Sequence, residues 1–192
     1  RGGGGEGKSL LIVGGAGGVG SIAIQLARKL TKLTIVATAS RPETSAWCKE
    51  LGAHHVIDHT KPFAEQLKAA GFTFVDYVFG VTHSDQHFPS IAEVIAPQGK
   101  FALIDDPKPF EFSKLKGKSV SLHWEAMFTR STFQTPDMIE QHKLLNEIAG
   151  MVESGAIRTT VAENLGRINA ENLRRAHAMV ESNRTRGKIV LE

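Results

Sequence analysis

Seven residues near the start of the chain, Gly14-Gly15-Ala16-Gly17-Gly18-Val19-Gly20, restrict its folding options more than any other stretch. They follow an apolar run, Leu10-Leu11-Ile12-Val13, and precede an apolar-periodic stretch through Ile22, Ile24, Leu26, Ala27 and Leu30. Strand, glycine turn and helix in that order form the local pattern of a dinucleotide-binding unit. Gly15, Gly17 and Gly20 satisfy G-x-G-x-x-G. The first glycine permits the tight turn, the second lets the backbone approach a pyrophosphate, and the third lets helix pack on strand. The diphosphate would sit at the helix N-terminus, where free N–H groups and the macrodipole favour an anion. The plainer alternative is a structural glycine turn in some other α/β protein.

A second glycine motif competes with the first. Gly2-Gly3-Gly4-Gly5-Glu6-Gly7-Lys8-Ser9 matches the phosphate loop of NTPases, G-x-x-x-x-G-K-[ST]. That loop needs a strand before it and a helix after it. Here only Arg1 precedes it, and Leu10 to Val13 reads as a strand. Residues 1–8 are therefore expected to be a flexible glycine-rich start rather than a nucleotide site.

Further along, strand and helix patterns alternate. Strands are predicted at Ser9–Gly14, Leu33–Thr38, His55–Asp58, Phe74–Phe79, Lys100–Asp105 and Ser119–His123. Helices are predicted at Gly18–Thr31, Pro42–Leu51, Phe63–Ala70 and Gln86–Ala96, the last stopped by Pro97. Such alternation implies parallel strands with crossover helices on both sheet faces. The expected fold is α/β, a doubly wound parallel six-stranded sheet of the Rossmann type, over residues 9–155. Beyond it come a helix at Asp137–Ser154, a strand at Thr159–Leu165, a helix at Ala170–Glu181 N-capped by Asn169, and a strand at Gly187–Leu191. Since six strands complete the sheet, these trailing elements should pack beside it.

The end of the second strand bears on the nucleotide. An NAD enzyme usually places an acidic residue there to accept the ribose hydroxyls. This chain has Val36-Ala37-Thr38-Ala39-Ser40-Arg41. Alanine leaves room for a 2′-phosphate, and a hydroxyl and a guanidinium can bind it through charge-assisted hydrogen bonds. The expected cofactor is NADP(H). The plainer reading makes Ser40 an N-cap for the next helix and Arg41 a solvated side chain.

Composition narrows the partners. Net charge is +3 and the charges are scattered, so neither nucleic acid nor a membrane is expected as a partner. The one basic cluster, Arg184-Thr185-Arg186-Gly187-Lys188, reads as a solvated turn or, less simply, as a phosphate contact. A single cysteine, Cys48, excludes an internal disulfide and a four-cysteine zinc site. No metal site is expected, and a reducing, cytoplasmic setting fits this cysteine usage best.

Taken together, Gly14 to Gly20 with Gln25-Leu26-Ala27, Ala37 to Glu43, Leu51-Gly52-Ala53-His54-His55-Val56-Ile57-Asp58-His59, Ala96-Pro97-Gln98-Gly99-Lys100, Leu103 to Pro107, Ser121 to Glu125 and Arg184 to Leu191 resemble the medium-chain dehydrogenase/reductase superfamily. The nearest branch is the quinone-oxidoreductase-like proteins often called zinc-type alcohol dehydrogenase-like. The resemblance implies that Gly15, Gly17, Gly18 and Val19 border the pyrophosphate. It puts Ser40 and Arg41 at the adenosine 2′-phosphate, with His59 where several relatives carry a tyrosine. Val81 and Thr82 would lie near the ribose, and Ile104 and Asp105 near the nicotinamide. It further implies a homodimer through the sixth strand, with Trp124, Met127 and Phe128 at the interface. Members begin with a catalytic domain that shapes the substrate pocket, and nothing here corresponds to it. Residues 156–192 resemble a remnant that returns to that absent domain. The expectation is thus the cofactor-binding portion of an oxidoreductase, inactive alone, from an enzyme that passes hydride to a small-molecule quinone, enone or carbonyl acceptor.

The catalytic donor is unknown at this level. His83, His87 and His123 qualify by chemistry, but a lone histidine is more often structural. A short-chain reductase would need Tyr-x-x-x-Lys, and Tyr77 is followed four residues later by Val81. A non-catalytic nucleotide sensor or structural module shares every feature above and stays open.

Overall fold

Apolar runs such as Leu11 to Val13 and Ile35 to Ala37 are buried on both faces of a sheet, as parallel strands between two helix layers require. The computed structural model describes residues 4–192. Its elements in chain order are β1 (Ser9–Val13), α1 (Gly18–Leu30), β2 (Thr34–Thr38), α2 (Pro42–Glu50), β3 (His55–Ile57), α3 (Phe63–Ala69), β4 (Val75–Gly80), α4 (Ser84–Val94), β5 (Ile95–Leu103) and β6 (Ser121–Trp124). They are followed by α5 (Thr129–Thr132), α6 (Ile139–Glu153), β7 (Val161–Asn164), α7 (Ala170–Glu181) and β8 (Lys188–Val190). A 3₁₀ segment at Phe112–Lys118 precedes β6.

The main sheet has six strands in the order β3-β2-β1-β4-β5-β6, and every pairing is parallel. This is the doubly wound Rossmann architecture expected from the alternating pattern. Successive strand residues point to opposite faces. Leu11, Val13 and Val36 accordingly join Phe63, Phe88, Ile91 and Phe101 in one core, whereas Ile12, Ile35 and Ala37 join Ile24, Trp47 and Cys48 in the other. Burial pushes the Cys48 thiol up to about 12, so this cysteine behaves as a small apolar core residue.

Three local expectations need correction. Helix α4 begins at Ser84, not Gln86, and ends at Val94, before Pro97 is reached. Its early start is a tertiary effect: the Asp105 carboxylate accepts hydrogen bonds from the Ser84 N–H (2.7 Å) and hydroxyl (2.6 Å), which satisfies donors at the helix mouth. Ser40 is not the cap of α2. That position belongs to Arg41, whose N–H donates to the Thr44 hydroxyl (3.3 Å).

The trailing elements do stand beside the main sheet. β7 and β8 form a separate two-stranded parallel sheet. The segment is clasped to the first half of the fold. The buried Gln25 amide donates to the Arg158 carbonyl (3.1 Å) and accepts from its N–H (2.9 Å). The Arg158 guanidinium also lies 4.8 Å from the Trp47 ring and pairs with Glu50 (3.0 Å).

Of the glycine-rich start, Arg1, Gly2 and Gly3 lie outside the described residues. The rest leads directly into strand β1 instead of a helix, so the phosphate-loop pattern lacks its required context here as well. Its Lys8 pairs with Asp76 (2.8 Å), and Lys32 donates its N–H to the Gly4 carbonyl (3.1 Å).

Candidate functional site

A cleft of about 430 Å³ opens where β1, β2 and β4 end. It lies at the switch point of the strand order, where open α/β sheets bind their ligands. Its floor is the glycine turn. Gly14 has φ +88°, and a β-carbon there would fall 2.7 Å from Thr82 Cγ2, so the tight bend belongs to Gly14 rather than Gly15. The Gly14 N–H donates to Thr38 Oγ1 (2.9 Å), which ties the turn to the end of β2.

The remaining motif glycines separate by what a side chain would meet. A β-carbon on Gly17 would meet only the Gly14 carbonyl oxygen, at 3.8 Å, so the backbone at this position is open to the cleft. A β-carbon on Gly20 would lie 2.2 Å from the Gly14 carbonyl oxygen and 2.7 Å from Gly15 Cα, which matches the close helix–strand contact expected of the third glycine. Gly15 is buried and does not line the cleft. A β-carbon there would crowd Ala37 (2.8 Å) and Cys48 (3.2 Å).

Of the other residues singled out from the sequence, Gly18, Val19, Ser40, Arg41, His59, Val81 and Thr82 all line the cleft. His59 is half-buried. Ile104 and Asp105 are not part of this wall. The Ile104 N–H is spent on the Gly80 carbonyl (3.2 Å), and the Asp105 carboxylate on Ser84, so the acid next to the predicted nicotinamide position is a helix cap.

Two groups complete the wall. Asn183, Thr185 and Lys188 come from the far end of the chain. The Gly187 N–H donates to the Ala16 carbonyl (2.8 Å), which seats this segment on the glycine turn. A β-carbon on Gly18 would fall 2.8 Å from Lys188 Nζ, so an ammonium stands over the turn. The basic cluster was the available signal, and it divides in the structure. Lys188 and Thr185 face the cleft, whereas the Arg186 guanidinium sits 5.2 Å from the Trp47 ring. His83 and His87 also line the cleft. The His87 ring lies 5.7 Å from His59 and 5.8 Å from Phe63, centroid to centroid. His123 does not line the cleft and is exposed on the edge strand β6.

The Arg41 guanidinium is already engaged. Its Nε donates to Glu43 Oε1 (2.6 Å), and Nη2 donates to the Arg184 carbonyl (2.5 Å). A model of the zinc-binding dehydrogenase family matches residues 51–191. The chain belongs to that family. A zinc-type alcohol dehydrogenase-like protein of Staphylococcus aureus (strain MSSA476) is 38% identical over 187 residues, covering 97% of this chain and 56% of its own length. A crystal structure from Rhizobium etli CFN 42, provisionally named a zinc-dependent alcohol dehydrogenase protein, is 57% identical with a TM-score of 0.92, over 96% of this chain and 54% of its own. A mycobacterial protein solved in complex with NADPH is 26% identical with a TM-score of 0.78, over 97% of this chain and 56% of its own. The chain thus spans about half the length of these relatives.

Among the described residues no three His, Cys, Asp or Glu side chains are grouped so as to hold a metal ion. His59, His83 and His87 converge, but the His83 Nδ1 is engaged with the Thr82 hydroxyl (2.6 Å). Nor is any helix among the described residues long and apolar enough to cross a membrane.

Three histidines are held below the usual imidazole range, with burial the largest cause in each. For His54, Arg28 and His55 add to the effect. For His59, Asp58 opposes it while His83 and Arg41 add to it. For His87, His59 and His83 add to it while Asp85 and Asp105 oppose it. Protonating His54 would also break the bond that its Nδ1 accepts from the Ile35 N–H (2.9 Å). The unfolded chain then binds more protons than the folded one just below the ordinary histidine value of about 6.5. Their contribution to stability is complete above that pH and is lost as pH falls through it toward the depressed folded values. Melting temperature measured from pH 8 to 5 should be flat at first and decline below about 6.5, well above the range where carboxylates titrate. A melting temperature unchanged down to pH 5 would contradict this.

Proposed function

We propose that this chain is the NADP(H)-binding part of an oxidoreductase that passes hydride to a quinone, enone or carbonyl acceptor. In this reading residues 9–155 form the dinucleotide-binding domain, and 156–192 close it from the C-terminal side while serving a further part of the enzyme. The observation that carries the reading is the cleft itself. An unobstructed backbone at Gly17 stands opposite Lys188, and Arg41 stands at the end of β2, where an NAD enzyme would have a carboxylate. The relative solved with NADPH supports the same cofactor.

The bound nicotinamide would supply the hydride. The chain's own residues do the rest. Backbone N–H groups at the mouth of α1 and the Lys188 ammonium hold the diphosphate. Arg41 and Ser40 take the 2′-phosphate, with His59 beside them, and Thr82 contacts the ribose. The unpaired edge of β6, beside exposed Trp124, Met127 and Phe128, supports a homodimer through that strand.

Calorimetric titration of the chain with NADPH and NADH tests the cofactor. NADPH should bind at least about tenfold tighter, the worth of roughly one charge-assisted interaction. Equal affinities would overturn the NADP(H) reading.

A further inference from the structure

We propose that Glu43 is a specificity-determining residue: it competes with the cofactor's 2′-phosphate for the Arg41 guanidinium and so limits how strongly the site prefers NADP(H) over NAD(H). The proposal rests on the NADP(H) reading above and deepens it.

Arg41 stands on a partition. Together with Thr44 and Thr185 it lines both the nucleotide cleft and a second cavity of about 450 Å³. Glu43 lines the second cavity and not the cleft. The carboxylate therefore draws the guanidinium from the side opposite to the one a nucleotide would occupy. Its bond to Arg41 Nε is short, at 2.6 Å, and the Arg184 carbonyl holds Nη2. Three of the five guanidinium N–H donors are left for a phosphate.

Glu43 is ionised at neutral pH, because its own backbone N–H and the Arg41 side chain hold its carboxyl below the usual range. A dianionic phosphate reaching Arg41 thus meets a fixed negative charge across the same guanidinium. Either it shares the cation with that charge or it pulls Arg41 away from it, and both weaken binding. The Glu43 side chain is 56% exposed, so the effect is that of a solvent-screened pair and not of a buried one. An adenosine carrying no 2′-phosphate does not call on Arg41 and should be indifferent to Glu43.

The experiment compares 2′,5′-ADP with 5′-AMP by calorimetry on the wild type, Glu43→Gln, Arg41→Ala and the double variant, with Glu43→Ala as a second removal of the carboxylate. Glu43→Gln should bind 2′,5′-ADP about two- to fivefold tighter. Its affinity for 5′-AMP should not change, and the gain should vanish in the Arg41→Ala background. Unchanged or weaker 2′,5′-ADP binding in both Glu43 variants would overturn the proposal, since Glu43 would then be neutral or would position Arg41 productively. The Arg41→Ala variant separates the two levels. If it binds 2′,5′-ADP as well as the wild type does, the cofactor reading fails and Glu43 loses its role with it. If it binds more weakly while the Glu43 variants match the wild type, only the Glu43 proposal fails.

Discussion

Gly20→Ala should lower the melting temperature by about 10 °C and abolish nucleotide binding, whereas Gly17→Ala should leave melting within about 1 °C of the wild type and still weaken binding at least about tenfold. The contrast follows from what each new methyl group meets. At Gly20 the atoms within reach are backbone, the Gly14 carbonyl oxygen at 2.2 Å and Gly15 Cα at 2.7 Å. Backbone cannot rotate away as a flexible side chain can, so α1 must separate from β1. Overpacking typically costs about 1–3 kcal/mol, and a rigid neighbour places Gly20 at the upper end. For a domain of this size each kcal/mol lowers the melting temperature by roughly 2–4 °C. At Gly17 the nearest atom is 3.8 Å away and φ is −70°, a conformation alanine adopts freely. Its methyl would stand in the cleft, on the surface a diphosphate must approach. Circular dichroism melts and calorimetric titration of both variants check the pair. Wild-type melting of Gly20→Ala, or wild-type binding by Gly17→Ala, would mean that the two glycines do not divide structure and recognition in this way.

Arg41→Ala should weaken NADPH binding by about 10- to 100-fold and change NADH binding less than about twofold. Hydrogen bonds to charged groups are worth roughly 1.5–3 kcal/mol each, and loss of one partner leaves the phosphate facing Glu43 alone. The fold should survive, since the cap of α2 uses the Arg41 backbone and the Thr44 hydroxyl and not the guanidinium. Arg41→Lys should recover only part of the loss, because an ammonium cannot present the planar fork. Raising ionic strength should shrink the wild-type preference toward that of the alanine variant. If Arg41→Ala loses NADPH and NADH equally, the residue shapes the cleft and does not read the phosphate.

Much of the fold was legible from local patterns. The strand at Ser9–Val13, the glycine turn and the helix from Gly18 follow one another in a short span, and hydrophobic periodicity reports such a unit directly. Asn169 shows the same legibility. It caps α7 by accepting the Asn172 N–H (2.8 Å), as a local sequence rule anticipates. Two partnerships were harder to read. The bonds that Asp105 accepts from Ser84, 21 positions earlier on a different element, have no local signal. Ser40 looked like the cap of α2, but the Thr44 hydroxyl was free to serve Arg41 instead.

The amino-acid order alone was enough to specify a doubly wound parallel sheet, because strand pattern, turn chemistry and helix period depend on near neighbours. It was also enough to set the chemistry at the end of β2, where alanine, serine and arginine replace a carboxylate. Only the folded chain decided that Lys188 stands over Gly18, that Asp105 belongs to a helix mouth, and that Arg41 is shared between Glu43 and a carbonyl 143 positions away. Contacts of that kind depend on where crossover helices and the returning C-terminal strand come to rest. Nothing local to either partner marks them, so they exist only once the whole topology has closed.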